Sequence, residues 1–215
     1  MMVSLAQRTQ TRGEEIANSI SHGVGAIGAI AVAPVLVIKA IPAGAPAIVG
    51  VSIFVATTIL LYLSSTLYHA LSLTRAKKLF QLFDHSAIFL LIAGTYTPFT
   101  LGILRGAWGW TLFGIVWGLA IFGILLKSIA GARPGKLSTM LYLTMGWLAV
   151  VAIEPLWTTL PAWGLFWLFG GGVMYSAGVV FFVYDARLRY GHFVWHLFVM
   201  LGTACHVVAV MVYAV

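Results

Sequence analysis

Charge is what this chain has least of. Only 8 % of its 215 residues are Asp, Glu, Lys or Arg, whereas an ordinary soluble domain carries about 25 %. Hydrophobic residues make up 61 %, so too few polar groups remain to cover a water-soluble globule. The same richness in apolar residues excludes intrinsic disorder and a collagen-like chain. Cysteine is nearly absent: Cys205 stands alone, which excludes a disulfide scaffold. Strand-like alternation is missing and the apolar runs are long, which argues against a transmembrane barrel. No internal repeat or low-complexity tract is present. What remains is an all-α integral membrane protein.

A membrane-crossing helix needs about 20 mainly apolar residues. Seven such stretches are readable: residues 20–38, 46–68, 84–104, 108–126, 140–153, 163–184 and 192–215. The fifth is the weakest, because Glu154-Pro155 interrupts it early, either as an interfacial break or as a contact in an outer cavity. The first flows straight into the others and reads as an uncleaved span. Residues 1–18 are expected to be a short cytoplasmic segment, in which Arg12-Gly13-Glu14-Glu15 starts a short helix capped by Thr11 with Glu14 three residues on, and 19–215 a single seven-helix membrane domain.

Acids are scarcer than bases, five against twelve, for a formal charge of +7. With seven spans, Arg8, Arg12, Arg75, Lys77, Lys78, Lys127, Arg133, Lys136, Arg187 and Arg189 share one side. Only Lys39 and Arg105 fall on the other. The positive-inside rule then puts the N-terminus in the cytoplasm and the C-terminus outside. The excess of positive charge is thus a topology signal, and no nucleic-acid partner is expected. A G-protein-coupled receptor would run the other way and carry Asp-Arg-Tyr and Asn-Pro-x-x-Tyr signals. Span 7 has no lysine for a retinal Schiff base. Neither retinal nor haem is expected as a cofactor.

Ionisable residues inside spans are costly and tend to be functional. His22, His69, Asp84, His85, His192 and His196 all fall at the cytoplasmic ends of the expected helices. His192 and His196 are four apart, so they share a helix face roughly 6 Å apart. Ser65 and His69 are also four apart, with the serine one turn deeper. Neutral imidazoles, a carboxylate and an open fourth position suit a hydrolytic zinc site. The histidine pair alone also fits two hydrogen-bonded interfacial residues. His85 lies about 100° around the helix from Asp84 and is not expected at the same ion. His22 suits either a contact behind the ligands or a helix cap. His206, about 21 Å beyond His192 along the helix, reads as a buried histidine bonded to a neighbouring helix. Gly94, Pro98, Gly102, Gly114, Gly118 and Gly123 suit close helix packing and kinks. Trp108, Trp110, Trp157 and Trp163 suit an interfacial aromatic belt.

In chain order these residues resemble a known family. Glu15-Ile16-Ala17-Asn18-Ser19-Ile20-Ser21-His22-Gly23 and Ser65-Thr66-Leu67-Tyr68-His69 look like its first two motifs. Phe83-Asp84-His85-Ser86, running on to Gly94-Thr95-Tyr96-Thr97-Pro98, is the most specific match, and His192-Phe193-Val194-Trp195-His196 closes the set. Gly171-Gly172 with Tyr175 and Gly178 fits span 6. The chain resembles the haemolysin III branch of the progestin and adiponectin receptor (PAQR) family, in a wider superfamily that includes alkaline ceramidases. The resemblance implies a seven-helix bundle with a cytoplasmic N-terminus in a bacterial inner membrane. It implies Zn2+ held by His69, His192 and His196, with Asp84 at the attacking water and Ser65 near the site. The expected function is zinc-dependent hydrolysis of a membrane-lipid amide or ester, with a part in membrane homeostasis. A non-enzymatic membrane sensor with structural zinc is the alternative, and a pore-forming haemolysin is a third. The substrate and oligomeric state stay open.

Overall fold

The computed structural model describes residues 9–72, 75–130 and 135–214. The chain forms α1 (Arg12–Ala40), α2 (Ala45–Ala70), α3 (Arg75–Leu101), α4 (Ala107–Ala130), α5 (Lys136–Trp147), α6 (Ile153–Thr159), α7 (Ala162–Val183) and α8 (Gly191–Ala209). A tight 3-10 segment, Leu148–Ala152, joins α5 to α6, so these two make one crossing. Among the described residues, seven segments are long and apolar enough to cross a membrane, as the apolar runs foretell.

The bundle is turned inside out relative to a soluble one. Ile20, Ile27 and Ile38 on α1 and Ile121, Phe122 and Leu125 on α4 face outward, whereas Asn18, Ser65, His69, Asp84, His196 and Thr203 are buried. A bilayer accepts the apolar exterior, while a polar group inside must find a partner on another helix. Trp110, Trp157 and Trp163 are exposed at the helix ends away from the histidines, as an aromatic belt would place them.

Several elements depart from the expected limits. α1 starts at Arg12 and α3 at Arg75, about two turns earlier than the apolar pattern suggests. Polar first turns do not end a helix when they are capped or packed. The cap expected at Thr11 is present as a reciprocal capping box with Glu14, and the helix it starts runs on unbroken into the first crossing instead of staying short. His22 and Asp84 therefore sit inside α1 and α3 and do not open them. The break in the fifth crossing lies at Leu148–Ala152, upstream of Glu154-Pro155. Pro155 occupies the first turn of α6, where no helical N–H bond is required. Of the basic residues counted for topology, Arg8 and Arg133 lie outside the described residues, as does Val215 at the end of the seventh stretch.

α2 is the most enclosed helix and packs closely on α3. Val51, Phe54, Leu61 and Tyr62 line its buried face. A side chain at Gly94 would overlap the Thr57 hydroxyl, and one at Gly50 would stand 2.9 Å from the Pro98 Cα. Gly94, Gly102 and Gly123 are thus the packing glycines, whereas Gly114 and Gly118 face open space. Replacing Gly94 by valine is expected to destabilise the bundle by about 1–3 kcal/mol through overpacking. Gly114→Val should leave stability near that of the parent. Thermal unfolding of the detergent-solubilised chain compares the two, and equal melting would refute this account of the α2–α3 contact.

Candidate metal centre

Three histidines converge where α2 ends and α8 begins. His69 is the penultimate residue of α2, and His192 and His196 occupy the first two turns of α8. Their rings stand 4.8 to 5.1 Å apart, centroid to centroid. One nitrogen from each lies within 4.8 Å of the others, so the set can hold a metal ion.

The outer nitrogens decide which nitrogen each residue offers. His69 Nδ1 donates to Glu15 Oε2 at 2.7 Å, and His192 Nδ1 donates to Asp185 Oδ2 at 3.1 Å. His196 Nδ1 is 3.2 Å from the Asn18 carbonyl and 3.0 Å from Ser21 Oγ. Ser21 gives its own proton to that carbonyl, so its oxygen accepts from the imidazole. Every Nδ1 therefore serves as a donor, which leaves the three Nε2 lone pairs for the centre. His69 Nε2 is buried with no hydrogen-bond partner among the described residues. A buried imidazole left open in this way, with its other nitrogen held by a carboxylate or carbonyl, is the arrangement seen around metal-bound histidines. The donor set fits a tetrahedral zinc ion with one place left over.

The first turn of α1 ties this centre together. Glu15 bonds His69 through one oxygen and takes Lys77 Nζ on the other at 2.7 Å. Glu14 accepts the backbone N–H of Tyr190 at 2.8 Å, and Tyr190 adopts the left-handed conformation at φ 59° just before α8. That turn sets where His192 starts.

Asp84 is buried on α3, and the polar groups bearing on its carboxyl are His192 and Ser65. The Ser65 hydroxyl is buried beside it, without a hydrogen bond of good geometry among the described residues. His22 lies flat on His196, with ring centroids 3.6 Å apart and planes 3° apart. Of the two readings of His22, contact behind a candidate ligand is the one observed. His85 does not join the cluster; its ring edges Tyr68, and its backbone carbonyl accepts the Tyr142 hydroxyl. His206 bonds the Leu168 carbonyl of α7, as a buried histidine between helices should.

Asp84, His192 and His196 also face a cavity. It runs between α3, α5, α7 and α8, past Ile88, Leu91 and Val199, to Leu112 and Leu156 at the far end of the bundle. Its walls are mostly apolar.

The “Haemolysin-III related” profile matches residues 10–207, nearly the whole chain and every residue just described. The chain belongs to the haemolysin III family. This family member is 46 % identical over 214 residues to “Hemolysin-3” of Bacillus cereus, covering 99 % of this chain and 97 % of that one. It is 44 % identical over 203 residues to “Hemolysin-3 homolog” of Bacillus subtilis (strain 168), covering 94 % and 95 %. The “Monocyte to macrophage differentiation factor” of Homo sapiens is 30 % identical over 162 residues, covering 71 % of this chain and 65 % of that protein. The chain is thus a multi-pass membrane protein with a buried three-histidine cluster.

Asp84 is not alone among the acids on the histidine layer of this haemolysin III protein. Glu15 and Asp185 each hold a candidate ligand. Glu15, Asn18 and His22 recur at i, i+3 and i+7 on an otherwise apolar helix, and this polar stripe is the signal that could have shown it. Glu15→Gln and Asp185→Asn are each expected to weaken metal binding about 10- to 100-fold while keeping all three ligands. Competition against a chromophoric chelator measures this, and unchanged affinity in both would refute the positioning role.

Proposed function

We propose that this haemolysin III protein is a zinc-dependent membrane hydrolase acting on the amide or ester bond of a lipid. The single observation that carries the reading is the junction of the three-histidine cluster and Asp84 with the apolar cavity. A polar, metal-competent end opening into a mostly apolar chamber suits a substrate with a polar linkage and a long chain.

His69, His192 and His196 would hold the ion through Nε2. Bound there, zinc supplies Lewis acidity toward a carbonyl and lowers the pKa of water to about 7. Asp84, facing the cavity, takes the proton of the attacking water and returns it to the leaving amine or alcohol. Ser65 donates a hydrogen bond to the oxyanion. His22 packs against His196 and limits its rotation. The apolar walls bind the acyl chain and exclude bulk water. Basic residues gather at the histidine end: Arg12, Arg75, Lys78, Lys136, Arg187 and Arg189 flank it, with Lys39 and Arg105 opposite. This distribution supports a cytoplasmic N-terminus and an inner-membrane location with bilayer lipids as partners.

A second reading is favoured by the network itself. Glu15, Asn18 and Ser21 of α1 bind histidines of α2 and α8, so a metal there would also clasp the two ends of the chain. A structural zinc in a membrane regulator would use the same ligands. Incubating the zinc-loaded chain with ceramide and lysolipid panels separates the two. Chelator-sensitive release of fatty acid is expected. A fully metallated chain that turns over none of these lipids would favour the structural reading.

A further inference from the structure

Deeper in the cavity, about 15 Å beyond His196 along α8, lies a second polar patch that the proposed chemistry does not use. It consists of His206, Tyr175 and Thr203, with Tyr62 behind them. His206 and Tyr175 line the cavity wall. Complementary glycines fix both rings: a Cβ at Gly171 would stand 2.5 Å from His206 Nε2, and one at Gly202 would stand 2.8 Å from the Tyr175 ring. α7 and α8 therefore interlock ring over glycine, and neither ring can turn freely.

The direction of each hydrogen bond follows from the acceptors. Thr203 gives its proton to the Val199 carbonyl at 3.0 Å, so its oxygen accepts from both Tyr62 and Tyr175 at 2.8 Å. Both tyrosine protons are thereby committed, and the Tyr175 oxygen keeps only lone pairs. His206 Nε2 lies 3.0 Å from the Leu168 carbonyl, which can only accept, so Nε2 carries the hydrogen. A charged imidazole at this depth would be costly, so Nδ1 carries a lone pair. That Nδ1 is buried and has no partner among the described residues. The one unpartnered polar atom of the patch is thus an acceptor, on a residue that lines the cavity. An ordinary acyl chain gives it nothing, and a buried unpaired acceptor is a cost to the fold.

We propose that His206 Nδ1, on a ring whose centroid stands 5.5 Å from that of Tyr175, is a subsite for a hydroxyl group in the middle of an acyl chain. The inference rests on the lipid-hydrolase reading for the presence of a chain in the cavity. The subsite stands on the order of ten to twelve carbon–carbon bonds from the histidine cluster, so it selects hydroxylation near the middle of a long chain. A hydroxyl beside the carbonyl would lie too far away to reach it.

The test is binding and needs neither turnover nor metal. The detergent-solubilised full chain is saturated with radiolabelled stearate. The label is then displaced by stearate, by stearate hydroxylated in mid-chain, or by stearate hydroxylated next to the carboxyl. The mid-chain hydroxyl should bind about fivefold more tightly than either of the others, the gain from one neutral hydrogen bond. His206→Phe should remove that preference while still binding stearate, and His206→Gln, which keeps a donor for Leu168 and an acceptor for the chain, should restore part of it. Equal displacement by the three acids would overturn the subsite while leaving an acyl-chain cavity intact. A preference retained in His206→Phe would also overturn it. If no acid displaces or binds at all, the lipid-cavity reading fails and the subsite with it. The comparison on the unmutated chain decides the matter even if a variant does not fold.

Discussion

Replacing His196 by alanine is expected to empty the chain of metal. The parent, loaded with zinc and freed of excess, should retain about one ion per chain. His196→Ala should retain close to none, because two imidazoles from different helices make a poor zinc site. Stability should fall in parallel. A ligand present at a hundred times its dissociation constant adds about 2.7 kcal/mol to the folded state. For a chain of this size that corresponds to roughly 5–10 °C in melting temperature. The variant also loses the ring stacked on His22 and the bonds to Asn18 and Ser21, so a melting shift alone proves nothing about metal. The chelator comparison removes the ambiguity: chelation should lower the melting temperature of the parent and leave His196→Ala unmoved. A parent that takes up no zinc, or melts identically with and without chelator, would end the metal reading.

The histidine cluster was readable because charge is so scarce. In an apolar chain an i, i+4 histidine pair, a helix-end histidine and a lone aspartate stand out, and the alternation of spans brings them to one end. The supports of those histidines were hidden for the opposite reason. Glu15 sits among charged residues before the apolar pattern begins, and Asp185 sits in a turn just ahead of two basic residues, Arg187 and Arg189. Both look like ordinary solvated polar positions. Only the extension of α1 back to Arg12 and the left-handed Tyr190 before α8 bring them to the imidazoles. The start of α3 was missed similarly, since hydropathy marks where a helix becomes apolar and not where its hydrogen bonds begin. The broken fifth crossing shows the limit in another form. Glu154-Pro155 is the visible breaker, yet the first turn of a helix tolerates proline, and the actual irregularity falls in the unremarkable Leu148–Ala152.

Asp84→Asn distinguishes chemistry from architecture. The change is nearly isosteric, and Asp84 is not among the three clustered ligands, so zinc content should stay near one per chain and the melting temperature close to that of the parent. Turnover of the responsive lipid should nevertheless fall about 10²- to 10⁴-fold, the usual contribution of a positioned general base. An amide cannot take the proton of the attacking water, although it keeps the shape and a hydrogen-bonding oxygen. Binding of a non-hydrolysable substrate analogue should change little, because the walls of the cavity are intact. The loss should therefore appear in kcat and not in KM. Ser65→Ala should be milder in stability and should also act on kcat, since the hydroxyl is placed for an oxyanion and not for the ground-state lipid. Metallated Asp84→Asn with undiminished turnover would remove Asp84 from the chemistry. Loss of zinc together with activity would instead make the carboxylate part of the metal site, and Asp84 would then have to be counted with the three histidines.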